Sequence, residues 1–306
     1  MKLKVGIDLG GTKIAGIAFD AQDNVVAEAR QPTPRGDYDA TIACIAAMVA
    51  ELADDAERTV GVGIPGSISP LTGQVQNANS TWINGKPVRQ DLEAALGGPI
   101  RLANDANCLA LSEAADGAGA AAQSVFAVIL GTGCGGGFVL NGGLNTGPHA
   151  IGGEWGHNPL PWAQQSELPG PECWCGRTGC LETWVAGPSL ARDHLEQTGV
   201  AASCEQIAQS ANEGDRDAQA TLDRHRDRTA RGLAHVVNLL DPEIIVIGGG
   251  LVALPGLVDR LPAAIAPHVF ADAVDIKVAA AHHGPASGVR GAARLWDEPP
   301  SCRSAQ

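Results

Sequence analysis

Apolar residues along this chain come in short runs closed by glycine turns, and one such pattern occurs twice. Leu3 to Leu9 sets apolar side chains against polar or glycine positions, which predicts a half-buried strand. The turn Gly10-Gly11-Thr12-Lys13 follows, then a strand from Ile14 to Phe19 and another from Asn24 to Arg30. The second copy has a strand from Ser124 to Leu130, the turn Gly131-Thr132-Gly133-Cys134-Gly135, a strand from Gly136 to Leu140 and a hairpin turn at Asn141-Gly142-Gly143. Two similarly built halves are therefore expected. Between the copies the pattern predicts a helix over 37–52, a strand over 60–64, a polar loop over 77–87, a strand over 100–103 and a helix from Asn104-Asp105 to Ala115. Gly117 and Gly119 mark the boundary. Beyond the second copy it predicts helices over 188–197, 204–211 and 215–240, a strand over 243–247, the run Gly248-Gly249-Gly250, and helices over 255–268 and 287–295.

Length and charge narrow the function. A chain of 306 residues exceeds what one core usually organises, so two domains are expected. Aromatic residues are only 4% while apolar residues reach 44%, which suits an Ala/Val/Ile/Leu-packed α/β protein. A net charge of −13 with no Lys/Arg cluster argues against nucleic acid and anionic membranes as partners. No apolar run approaches the ~20 residues of a membrane span, and no signal peptide precedes the first strand. A cytoplasmic location is expected, with the eight cysteines reduced. The tail from Pro299 reads as disordered, with Cys302 unpaired.

Three glycine turns, each at the end of an apolar strand, suggest a phosphate cradle. Without a Cβ to block approach, their N–H groups can reach phosphate oxygens, and Thr12 and Lys13 add charge-assisted bonds. Gly131 to Gly136 matches a dinucleotide-binding spacing, but a strand follows where a helix is required. No Walker motif is present. Asp105 is the candidate general base for a phosphoryl acceptor hydroxyl. Its position at a helix start equally fits a capping role.

His157, Cys173, Cys175 and Cys180 match the Cys3His shell of a structural zinc site, with no open position for a reactive water. Buried free thiols or a disulfide are the alternative.

Taken together these segments resemble the ROK family of bacterial sugar kinases over nearly the whole chain. Asp8-Leu9-Gly10-Gly11-Thr12-Lys13 is similar to that family's first phosphate motif, Leu102 to Asn107 to its catalytic motif, and Gly131-Thr132-Gly133 to its second phosphate motif. Gly153-Glu154-Trp155-Gly156-His157 with Cys173, Cys175, Cys180 and Glu182 resembles its sugar- and zinc-binding signature. The resemblance implies an α/β, actin/hexokinase-like fold: two RNase H-like domains, an interdomain cleft and a small zinc-binding loop over 157–180. Expected boundaries are 1–117 and 118–286, with helix 287–296 packing on the first part.

The resemblance also implies ATP, Mg2+ and structural Zn2+ as cofactors. Asp105 would act as base, with Asn79, Asn104, Glu154, His157 and Glu182 bonding sugar hydroxyls. Asp8 would approach the Mg2+, and Gly248, Gly249 and Gly250 would border the adenosine. Fifteen residues, Asn158 to Glu172, separate His157 from Cys173, more than the commonest family spacing. With the loop 77–85, this spacer looks most like the fructokinase or manno(fructo)kinase branch, so phosphorylation of fructose at O6 is expected. Glucokinase, mannokinase and N-acetylglucosamine kinase are the alternatives, and a non-catalytic sugar sensor comes after them. The family's repressors carry an added N-terminal DNA-binding domain, for which a first strand at Leu3 leaves no room. The expected partners are a hexose, ATP and a second copy in a homodimer.

Overall fold

The computed structural model describes residues 2–54 and 56–297; the tail from Pro299, with Cys302, lies outside them. The repeated pattern becomes two five-stranded sheets of the same design. In the first, β1 (Leu3–Leu9), β2 (Lys13–Phe19) and β3 (Val25–Pro32) form an antiparallel meander. The parallel strands β4 (Arg58–Ile64) and β7 (Ile100–Asn104) add on the far side of β1, giving the order β3-β2-β1-β4-β7. A two-stranded hairpin, β5 (Ser67–Ile68) with β6 (Val75–Gln76), stands apart.

The second sheet repeats the scheme. Strands β8 (Ser124–Leu130), β9 (Cys134–Leu140) and β10 (Gly143–Leu144) form the meander, and β11 (Ile244–Gly248) and β12 (Val278–Ala280) pair parallel beyond β8. The order is β10-β9-β8-β11-β12.

Helix α1 (Tyr38–Ala53) covers the first sheet through Ile45, Met48, Val49 and Leu52. Its first turn is capped by Asp37, which accepts from the Ala40 N–H. Helix α2 (Val88–Leu96) was not expected. It begins directly after Pro87 and buries only Val88 and Leu92, too few apolar positions to stand out from a polar loop. Strand β12 was missed because its three residues are half-exposed at the sheet edge. On the second sheet lie α4 (Glu182–Val185), α5 (Gly187–Thr198), α6 (Cys204–Asn212), α7 (Arg216–Leu240) and α8 (Leu257–Ile265). The expected 255–268 helix ends early, its last residues forming a 3-10 turn over Ala266–His268. Among the described residues no helix is long and apolar enough to cross a membrane.

Two helices tie the sheets together. Helix α3 (Asp105–Asp116) starts at the end of β7 and packs Leu109 and Ala110 onto Val125, Ala127, Val139 and Val246 of the second sheet. Helix α9 (Ser287–Ala293) returns from the second sheet and lies directly on the first. Glycines permit this approach: a Cβ on Gly61 would sit 1.9 Å from the Ala292 carbonyl oxygen, and one on Gly6 would sit 2.2 Å from that of Val289. Glu113 of α3 is fully buried and holds both connectors. Its carboxylate accepts from the Ala118, His282 and His283 N–H groups and from the Ser287 hydroxyl.

Candidate active site and cysteine knuckle

The ends of β4, β7, β8 and β9 open into one cleft. A cavity of about 420 Å³ there is lined by Asn79, Asn104, Asp105, Glu154, His157, Trp174 and Glu182. A second cavity of about 500 Å³ is bounded by Gly131, Gly187, Cys204, Glu205, Gly250 and Leu251. Thr132 lines both.

Asp105 is the first residue of α3, and the capping falls to its neighbour: the Asn104 side-chain oxygen accepts from the Ala106 N–H at 2.9 Å. Asp105 Oδ1 shares that donor at 2.8 Å, so the Asp105 carboxylate is aligned without being consumed by the cap. Burial raises its pKa, against the hydrogen bonds from Ala106 and Asn104. Asn104 also donates to the Gly66 carbonyl at 3.1 Å. Asp8, at the end of β1, is pushed up to about 7 by burial and then by the charge of Asp105, with Lys13 opposing.

The first glycine turn is braced from behind. Thr33 donates its N–H to the Thr12 carbonyl and its hydroxyl to that of Gly10, and Arg35 donates to Gly11. Gly11, Thr12 and Lys13 are exposed. In the second turn Gly133 is required for another reason, since a Cβ there would lie 2.9 Å from Glu182 Oε2. Of the third run, Gly250 lines the larger cavity and Gly249 adopts φ +88°. Gly248 lines neither cavity: it ends β11, where a Cβ would meet Leu109 at 2.9 Å, so packing against α3 accounts for it. The residues of this cavity that the pattern did not single out, Gly187, Cys204, Glu205 and Leu251, carry no local signature of a nucleotide site. Their spacing marks only helix starts.

Glu154 precedes a 3-10 turn over Trp155–His157, which brings residues three apart onto one face. The loop sits flush on β9: Gly153 has φ +95°, a Cβ there would lie 2.2 Å from the Gly136 carbonyl oxygen, and Trp155 Nε1 donates to Gly135 at 3.0 Å. Burial raises the Glu154 pKa, with His157 opposing. Glu182 opens α4 and is fixed at both oxygens, Oε2 by the Cys134 N–H at 2.9 Å and Oε1 by Trp174 Nε1 at 2.7 Å.

Beside this cavity the ligand atoms of His157, Cys173, Cys175 and Cys180 all lie within 4.8 Å of one another. Cys175 and Cys180 sulfurs are 3.7 Å apart, and Cys173 Sγ is 3.6 Å from His157 Nδ1. A disulfide would need about 2 Å between sulfurs, whereas a tetrahedron with Zn–S bonds of about 2.3 Å has edges of about 3.7 Å. The donor set therefore fits zinc. Burial pushes the Cys180 thiol up to about 12, so binding a metal here must release protons.

The long spacer is anchored to α7. Glu167, 6% exposed, pairs with Arg228 at 2.9 Å and Arg231 at 2.8 Å, and Arg231 also donates to the Pro161 and Trp162 carbonyls. Burial alone would raise the Glu167 carboxyl, but donation from Arg231, the Gln164 N–H and Arg228 pulls it down to about 2. Its stabilisation is thus present above the unfolded carboxylate pKa of about 4 and is lost as pH falls through about 2. Glu167→Ala removes a carboxylate shared by two buried guanidinium groups, which keep Asp193 and Asp227 as partners, and urea unfolding at pH 7 is expected to show a loss of about 1.5–3 kcal/mol. The deficit should shrink from pH 5 toward pH 2.

The ROK family model matches residues 4–299. N-acetyl-D-glucosamine kinase of Shigella boydii serotype 4 is 39% identical over 297 residues, covering 95% of this chain and 98% of the relative. Among solved structures, a ROK hexokinase from Thermus thermophilus superposes with a TM-score of 0.82 at 32% identity, covering 95% of this chain and 96% of the other. A ROK family glucokinase from Streptomyces griseus, in complex with glucose and AMPPNP, gives 0.80 at 27% identity over 96% and 98%. With two matching sheets, and with similarity that runs from end to end on both sides of each pairing, the chain belongs to the ROK family.

Proposed function

We propose that this protein is an ATP-dependent hexose kinase. The observation that carries the reading is the pair of cavities that share Thr132 in their walls, one rimmed by carboxylates, amides and an imidazole, the other by glycine turns. The polar cavity takes the hexose, whose hydroxyls suit Asn79, Asn104, Glu154, His157 and Glu182. MgATP occupies the other, with Gly249 and Gly250 beside the adenosine. Its phosphates point past Thr132 and Gly133 toward Gly10, Gly11, Thr12 and Lys13. Asp8 would hold the Mg2+, and Asp105 accepts the proton of the attacking hydroxyl as the hydroxyl oxygen bonds to the γ-phosphorus and the bond from that phosphorus to the bridging oxygen breaks, ADP leaving with the electron pair. Zn2+ on His157, Cys173, Cys175 and Cys180 fixes the loop presenting Glu154 and Glu182. The domains are read as 1–117 with 287–296, and 118–286, closing on each other over the cleft.

N-acetyl-D-glucosamine is the preferred sugar in this reading, supported by the relative that is 39% identical over 95% of the chain. The fructose expectation rests on the spacer 158–172 and the loop 77–85, and the spacer is explained as an anchor to α7. Measuring kcat/KM with MgATP for N-acetylglucosamine, glucose, mannose and fructose decides between them. Highest efficiency on N-acetylglucosamine is expected. A fructose optimum would restore the branch assignment, and no turnover on any of them would end the kinase reading.

A further inference from the structure

We infer that Trp174, the residue between the zinc ligands Cys173 and Cys175, is a sugar-positioning residue: its indole N–H holds Glu182 and its ring forms a wall of the hexose site. The inference deepens the hexose-kinase reading and rests on it. Three observations carry it. Trp174 lines the polar cavity, the only tryptophan among the residues that do. Its Nε1 donates to Glu182 Oε1 at 2.7 Å, while the other carboxylate oxygen is held by the Cys134 N–H, so Glu182 has one orientation. Its ring meets His157 edge-on, centroids 5.1 Å apart, and therefore rests on a metal ligand.

Yet the side chain is 58% exposed. An indole held by a hydrogen bond and an edge contact, with open surface toward a polar cavity, is positioned to be covered by a ligand having both hydroxyls and an apolar C–H face, as a hexopyranose ring has. The knuckle thus delivers its own aromatic group to the substrate, in addition to steadying neighbouring residues.

Sugar binding followed by tryptophan fluorescence, with acrylamide quenching, tests this without turnover. In the wild-type protein, N-acetyl-D-glucosamine is expected to shift the emission and reduce quenching, and Trp174→Phe should abolish that response although five tryptophans remain. Losing a hydrogen bond to a carboxylate should raise KM for the sugar roughly tenfold or more in Trp174→Phe, with kcat within about threefold. Trp174→Ala should raise it further. Zinc content and melting temperature must stay at wild-type values in Trp174→Phe, which separates a substrate contact from a merely structural residue. An unchanged KM in both variants, or a wild-type fluorescence response that survives in Trp174→Phe, overturns the inference. Should Trp174→Phe lose its zinc, the wild-type quenching result decides: no protection by sugar overturns it. A chain that binds sugar through Trp174 but never phosphorylates it would sink the kinase reading alone. Normal phosphorylation with Trp174→Phe indifferent would sink this inference alone.

Discussion

Asp105→Asn is expected to lower kcat by about 10²–10⁴-fold while sugar affinity by calorimetry stays near wild type. The amide is isosteric and can still accept the Ala106 N–H, so helix α3 should start as before. Because Asn104 supplies the cap, a loss of turnover could not be assigned to a frayed helix. Unchanged melting with near-normal turnover would remove Asp105 as the base. The pH profile gives an independent check. A base must be deprotonated, so kcat/KM falls as pH drops through its pKa in the free protein, and burial places that pKa above the ordinary carboxylate range. Asp8, pushed up to about 7, lies close enough to couple to it, so the acid limb reports the pair. Asp8→Asn removes the neighbouring negative charge and should move the limb to lower pH, whatever its cost to Mg2+ binding.

Metal removal should have the next largest effect. Elemental analysis is expected to find about one zinc per chain, as four-ligand structural sites do. Stripping it with a chelator should lower the melting temperature by roughly 10 °C or more and raise KM for the sugar, since three buried or half-buried thiols and an imidazole would lose their common partner. Sugar affinity falls with stability because His157 rides on the same 3-10 turn as Glu154, and Glu182 follows Cys180 by two residues. The spacer should survive better than the knuckle, being held by Glu167, Arg228 and Arg231 rather than by metal. Metal-free protein with wild-type melting and activity would refute the zinc site.

Local chemistry in the sequence was enough to locate most of this. Strand, glycine turn, strand appears twice because each strand needs apolar residues to bury and each turn needs a residue without a Cβ, and the antiparallel meander of each sheet follows that repeat. The Cys3His cluster was legible for a similar reason: thiol and imidazole spacing is a property of a short chain segment. Asp105 was visible as a helix start, but only the fold showed that Asn104 takes the cap.

What the tertiary structure alone decided depends on residues distant in sequence. Gly6 and Gly61 read as unremarkable glycines until α9 is seen in the space their side chains would fill, and Gly133, expected in a phosphate turn, also leaves room for the Glu182 carboxylate. Gly248, expected to border the adenosine, sits against α3 so closely that a Cβ would meet Leu109. The fifteen-residue spacer looked like a specificity element, and its buried carboxylate pairs with arginines more than sixty residues further on. Periodicity and motif spacing report what a segment requires of its immediate neighbours, whereas close packing, buried ion pairs and shared cavities arise only when distant segments meet.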